Sequence, residues 1–186
     1  MPMTAGDYLD SADTLTDMAM KAGSPERESF YTAMGQVTAI QAAAAAMERL
    51  AEAVTLIKGL LKGEQVAFAG RHYRVTDHTI FPLPVQRPHP PILIGGNGRS
   101  LLTLAAREAD IVGFSGITFR RGGAVPDISG WRVSEVDKRM QLVRDVAGDR
   151  HLRLELNALV QRVVVTDHRR QAAEELASRW THTGSR

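Results

Sequence analysis

The stretch Pro91-Ile92-Leu93-Ile94-Gly95-Gly96-Asn97-Gly98-Arg99-Ser100 decides how the rest of the chain is read. Its first four residues form a short apolar run between a proline and glycines, the mark of a buried strand. Gly95-Gly96-Asn97-Gly98 predicts a tight turn. Residues 99–109 predict a helix, with Leu101, Leu104, Ala105 and Glu108 at helical spacing. Asp110 opens a second apolar run, Ile111-Val112-Gly113-Phe114, which ends at Ser115-Gly116. Strand, glycine turn, helix and strand within about 25 residues make a βαβ unit and therefore a parallel sheet.

The alternation continues downstream. Residues 116–130 are glycine-rich and predict a long loop. Val133, Val136, Met140, Val143 and Ala147 line one face of a helix, with Ser134 as a candidate cap and Gly148 as its stop. Residues 152–166 alternate at Leu152, Leu154 and Leu156 and then turn apolar, which predicts one long barrel strand with a bend. Thr166 or Asp167 would cap a last helix over residues 169–180, and residues 181–186 read as a frayed tail.

Upstream, Leu50, Val54, Ile57 and Leu61 recur on one helical face, and Lys62-Gly63 ends that helix. Residues 65–68 and 72–75 flank Ala69-Gly70-Arg71 as a hairpin. Pro82, Pro84, Pro88, Pro90 and Pro91 predict an extended surface segment. Residues 1–47 hold six of the seven methionines and an alanine run at 42–46. Gly6, Gly23, Pro25 and Gly35 interrupt a weak apolar pattern there, which predicts helix in pieces, loosely packed. The expected organisation is a helical segment over 1–47, an α/β domain over 48–180 and a tail over 181–186. Three clear parallel strands are too few for a complete barrel.

Composition narrows the function. The chain has 186 residues, 44% hydrophobic and 24% charged, the profile of a globular protein. It has no cysteine, which excludes disulfides, thiolate metal ligands and thiol nucleophiles. The net charge of +2, with basic residues scattered, predicts no nucleic-acid partner. No apolar run approaches the roughly 18 residues of a membrane helix, and the acidic opening has no signal-like apolar core. Cytoplasm is the expected location.

The glycine turn carries the chemistry. A helix N-terminus presents backbone N–H groups without partners and a partial positive charge. Glycines before it let that backbone approach a ligand. Gly95, Gly96, Asn97 and Gly98 therefore suit a phosphate, with Arg99 as a charged donor and Ser100 as a hydroxyl donor. The third glycine of the dinucleotide fingerprint is absent, because Gly96-Asn97-Gly98 runs into Arg99-Ser100-Leu101. No Gly-Lys-Ser/Thr triplet of a nucleoside-triphosphate loop occurs. The alternative is a strand-to-helix turn whose glycines only relieve strain; the residues alone leave both readings open.

At these residues the chain resembles the luciferase-like monooxygenase superfamily, most closely the branch that uses the deazaflavin coenzyme F420. The matching pieces are Arg49-Leu50-Ala51-Glu52-Ala53-Val54 leading to Ile57-Lys58, and Gly70-Arg71-His72-Tyr73. Pro82-Leu83-Pro84-Val85-Gln86 and Pro90 through Gly96 follow, then Leu104 through Asp110 and Leu154-Glu155-Leu156-Asn157. The resemblance implies a TIM-like (β/α)8 barrel with a flavin-type cofactor at the C-terminal ends of its strands. It implies that Gly95, Gly96, Asn97 and Gly98, with Arg99 beside them, hold the cofactor phosphate, the cofactor being F420 or alternatively FMN. It also implies a small-molecule substrate. The first four βα units and the end of the barrel have no counterpart in the chain, so the expectation is a partial barrel of about three parallel βα units. Such a fragment, from a truncated gene or a shifted frame, would lack the catalytic residues and be inactive alone.

The remaining candidates read as structural. His72, His78 and His89 lack the i,i+4 spacing of a helical metal site, so no metal is expected. His151 and His168 sit at helix ends. Glu155 and Asn157 alternate in a strand, as a buried structural pair or as substrate contacts. Trp131, Trp180 and the early methionines read as packing. No Ser-His-Asp order with a nucleophile elbow is present. An open parallel sheet would also suit a non-catalytic assembly module, with a homodimer as one outcome.

Overall fold

Ser24-Pro25 starts the longest element of the protein. Ser24 takes the N-cap position of a helix, accepts the Arg27 amide, and puts Pro25 where a missing N–H costs nothing. In the computed structural model, which describes residues 3–119, 126–127, 129–158 and 163–182, this helix α2 runs unbroken over Pro25–Lys62. A shorter helix α1, Ala5–Met20, precedes it, opened by a reciprocal capping box between Thr4 and Asp7. The predicted break thus falls at Gly23-Ser24-Pro25, whereas Gly6 and Gly35 lie inside helices. The reason is small-residue packing. Ala12 and Ala19 of α1 and Gly35, Ala42 and Ala45 of α2 are buried, and a Cβ on Gly35 would stand 3.6 Å from the Ala12 carbonyl oxygen. Close approach between backbones replaces a stripe of large apolar residues.

Gly63 ends α2 in the left-handed region at φ 87°, where glycine is favoured. The predicted hairpin follows as β1, Val66–Ala69, paired antiparallel with β2, Arg74–His78, a few residues beyond the predicted second strand. The proline-rich segment that follows forms neither helix nor strand through Pro91. The chain divides into two compact units, Met1–Pro91 and Ile92–Arg186.

The second unit is built on a three-stranded parallel sheet in the order β3, Leu93–Gly96; β4, Ile111–Phe114; and β7, Glu155–Ala158. Ile94, Val112 and Leu156 stand in register, as do Gly95, Gly113 and Asn157. Helix α3, Arg99–Glu108, crosses from β3 to β4 as predicted. Its buried face is Leu102, Ala105 and Ala106, closed by Ala109, rather than the predicted line through Leu101 and Leu104. These small side chains let α3 lie close to Ile94 and Val112. Asp110 joins the strand starts: its carboxylate accepts the Ile92 amide at 2.9 Å and its carbonyl accepts the Glu155 amide at 3.0 Å.

Helix α4 spans Val133–Ala147 as predicted, packs on α3 and buries Val143. Arg132, not Ser134, holds its N-cap, without a side-chain bond; Gly148 ends it. From the 3₁₀ segment that follows, Gly148–Arg153, Arg150 donates to the carbonyls of Ala106 and Ala109 and so caps the C-terminal end of α3. The predicted long strand over 152–166 shortens to β7, because residues up to 153 take that 3₁₀ turn and Leu152 is exposed. Residues 159–162 lie outside the described residues, and 163–166 form no strand. In the predicted loop, β5, Thr118–Phe119, pairs with β6, Pro126–Asp127, before a 3₁₀ turn at Ser129–Trp131. Helix α5, Arg169–His182, closes the described chain, and the rest of the predicted tail lies outside it.

Candidate functional site at the carboxyl ends of the parallel strands

Parallel strands present their carboxyl ends on one side of the sheet, which is where α/β proteins bind ligands. Here that rim is formed by the ends of β3, β4 and β7. The five predicted site residues are contiguous on it. Gly95 and Gly96 are the last residues of β3, Asn97 makes the turn, Gly98 is the N-cap of α3 and Arg99 its first residue.

Each plays a different local part. Gly95 backs onto Gly113 of β4, where an added Cβ would come within 3.3 Å of the Gly113 carbonyl oxygen. A Cβ on Gly96 would meet the end of the Leu101 side chain, which would have to shift. Gly98 is different. Its backbone, at φ −73° and ψ 143°, suits any residue, and a Cβ there would meet nothing within 4 Å. The approach to the start of α3 is therefore open at Gly98. Gly98 offers no side-chain cap to this helix, and no acidic residue lies in its first turn. Its first turn carries the partial positive charge of a helix start. Arg99 and Ser100 are exposed beside them.

Asn97 has a structural job. Its amide nitrogen donates to the Ile117 carbonyl at 3.0 Å, and its oxygen accepts from Arg139 at 2.8 Å. Arg139 of α4 also donates to the carbonyls of Ser115, at 2.7 Å, of Gly130, and of Glu135, at 3.0 Å. One guanidinium thus links the β3–α3 turn, the end of β4 and the 3₁₀ turn. The Trp131 ring lies against the Gly116 backbone, where a Cβ would overlap it. Arg139 is the residue that sequence reading missed. Its partner Asn97 is 42 residues away, but a basic residue near the apolar line Val136–Met140–Val143 was the available signal.

The other candidates fall elsewhere. Glu155 and Asn157 lie on exposed β7. His72 and His89 belong to the first unit, where His89 is buried with Nδ1 2.9 Å from the Pro90 carbonyl oxygen. The His72 Nε2 stands 3.6 Å from a Glu48 carboxylate oxygen and makes no hydrogen bond. Among the described residues no cluster of three or more histidine, cysteine or acidic side chains is placed to hold a metal ion. None of the described helices is long and apolar enough to cross a membrane.

A second polar cluster clamps the hairpin. The Glu52 carboxylate of α2 accepts the amides of Arg71, His72 and Tyr73 at 2.8, 2.9 and 3.0 Å. Burial pushes this carboxyl up, but the three amides and the nearby His72 pull it further the other way, so its pKa lies below the ordinary value. Arg71 also pairs with Glu48 at 2.9 Å, and Arg49 donates to the Tyr73 hydroxyl at 3.2 Å.

Comparison with known proteins gives the site its family. The profile of the luciferase-like monooxygenases matches residues 19–185. Over 62 residues, 33% of this chain, the sequence is 39% identical to an FMNH(2)-dependent dimethylsulfone monooxygenase of Pseudomonas putida, 17% of which is covered. Over 63 residues, 34% of this chain, it is 43% identical to an F420-dependent glucose-6-phosphate dehydrogenase of Microbacterium testaceum, 18% of which is covered. The aligned stretch is thus a small part of either relative, while the family profile spans most of the chain. An α/β fold with a parallel sheet, a glycine-rich strand-to-helix turn at its carboxyl rim and a profile match of this extent make the chain a member of the luciferase-like monooxygenase family.

Proposed function

We propose that this chain grips the phosphate-bearing part of a flavin-type cofactor at the turn between β3 and α3. The backbone of Gly95, Gly96, Asn97 and Gly98 would supply amides, and Arg99 a charge-assisted hydrogen bond. F420 and FMN both fit this reading, since one relative is named for each. The bound cofactor would supply the redox chemistry; the protein's part is binding, orientation and exclusion of water. The observation that carries the reading is the open approach at Gly98 onto an uncapped helix start. The three parallel strands would be part of an eight-stranded barrel, and a small molecule would be the substrate.

Titration of the purified chain with FMN and with F420, followed by cofactor fluorescence, tests the grip. Gly98→Ala adds a methyl group in open space, so the fold should keep its melting temperature while affinity falls about tenfold, or 1.4 kcal/mol. Absence of binding to either cofactor, or a variant that binds as well as the parent, would overturn the assignment. Three parallel strands leave most of a barrel's catalytic rim unformed, so cofactor-linked turnover by this chain alone should be negligible. Measured turnover above background would refute that part.

One observation favours a second reading, a module that assembles with another copy or subunit. All four residues of β7 are exposed at a sheet edge, and Leu93 on the opposite edge strand is 53% exposed. Sedimentation decides: a concentration-independent monomer excludes self-assembly.

A further inference from the structure

We infer that Arg139 is the positioning residue of the β3–α3 turn, setting how tightly that turn takes an anionic group. The inference rests on the reading of the turn as the cofactor-phosphate site. Three observations carry it. First, the Arg139 guanidinium holds the Asn97 oxygen at 2.8 Å and the Ser115 carbonyl at 2.7 Å through a single nitrogen. The ends of two neighbouring strands therefore share one donor. Second, Asn97 passes the constraint on, because its amide nitrogen is bound to Ile117 while its backbone leads directly into Gly98. Turning the Asn97 side chain would break both bonds, so together they hold the turn that feeds the start of α3. Third, among the described residues the hydrogen-bond partners of Arg139 are neutral: the Asn97 amide and the carbonyls of Ser115, Gly130 and Glu135. Carbonyls and an amide satisfy its donors without cancelling its charge. The Glu135 carboxylate lies 2.7 Å from the Lys138 ammonium; Lys138 first, and the charge of Arg139 as well, hold its pKa below the ordinary value.

A brace that only stabilises the fold would look similar in a static structure. The difference lies in how affinity and stability separate. Arg139→Lys keeps the charge and loses the planar fork, since an ammonium cannot span these carbonyls and the Asn97 oxygen in the same geometry. Asn97→Ala leaves Arg139 in place and removes the bonds that tie the turn to Arg139 and to Ile117. Val143→Ala destabilises the same helix from its buried face without touching the rim.

The experiment is an NMR titration of the isotope-labelled chain with inorganic phosphate and, separately, with FMN. It follows the amides of Gly98, Arg99 and Ser100, at a temperature where tryptophan emission shows each variant folded. In the parent, these amides should shift saturably with both probes. Arg139→Lys and Asn97→Ala should each weaken binding about tenfold, and the double variant should be no weaker than either alone. Val143→Ala should bind as the parent does despite its lower melting temperature. If Arg139→Lys does not fold, Asn97→Ala carries the test alone. Equal affinity in the parent and the folded rim variants would overturn the role of Arg139, as would an equal loss in Val143→Ala. No phosphate-dependent or FMN-dependent shift in the parent would instead remove the cofactor-phosphate reading itself.

Discussion

Each of the two units has a charged side chain that gathers backbone groups, and they do so with opposite signs. In Met1–Pro91, the Glu52 carboxylate collects three amides of the hairpin turn. In Ile92–Arg186, the Arg139 guanidinium collects three carbonyls and one side-chain oxygen. The difference lies in what surrounds them. Glu52 feels the nearby His72, and the adjoining Glu48 is paired with Arg71, so the hairpin clamp is built among ionisable neighbours. Arg139 is met by dipoles alone among its hydrogen-bond partners. The first arrangement is what a structural fastening requires. The second joins the ends of two neighbouring strands and the turn that leads into α3.

The comparison can be broken one unit at a time, because all three tyrosines lie in the first unit and both tryptophans in the second. The largest effect is expected from Arg139→Met. It strands several carbonyls and should cost the second unit about 3 kcal/mol. Tryptophan-monitored melting should show the loss while the tyrosine signal holds; a shift in both, or in neither, contradicts separate fastenings. Gly116→Ala comes next. Its methyl group would overlap the Trp131 ring, so about 2 kcal/mol should be lost with a red shift of tryptophan emission. An unshifted spectrum would mean that this contact is not needed.

Glu52→Gln should lower the tyrosine-monitored transition by a few degrees and leave the tryptophan transition in place. An amide in place of the carboxylate keeps shape but turns one acceptor into a donor facing N–H groups. Acid should do the same reversibly. Because folding lowers the Glu52 pKa, its contribution is full above the ordinary value of 4.5 and is lost as pH falls through the lowered one. Amide exchange at Arg71, His72 and Tyr73 should therefore accelerate below about pH 4, beyond the intrinsic pH effect on exchange. Protection unchanged down to about pH 2 would argue that the clamp does not titrate. The smallest effect belongs to Gly98→Ala, whose stability should stay within about 0.5 kcal/mol of the parent. A larger loss would show that the space at Gly98 is not open.

What could be read from the residues depended on how far apart the interacting partners lie. The β3–α3–β4 unit was legible because its strand runs, turn glycines and helix are contiguous, and the span of α4 was legible from its own periodicity. Helix α2 was legible at its end, from Leu50 to the Lys62-Gly63 stop, but not in its first half, which packs through Gly35, Ala42 and Ala45, residues of little hydrophobic signal. Strand β7 was overextended because alternation at Leu152 and Leu154 imitates a strand where the chain takes a 3₁₀ turn. The site followed the same rule. The glycine turn could be found locally, whereas Asn97 meets Arg139 only after the intervening elements have folded.

Helix α3 has a fixed polarity that no proton can switch. Its carbonyl end is already occupied by the Arg150 guanidinium, and at its amide end Gly98 offers no side-chain cap and the first turn holds no carboxylate. Guanidinium groups keep their charge throughout the range in which proteins stay folded, and peptide dipoles do not ionise. An anion bound there would meet nearly the same field in weak acid as in weak base. Any pH profile of its affinity should then trace the ionisation of the guest, such as the second proton of a phosphate monoester near pH 6, rather than that of the host.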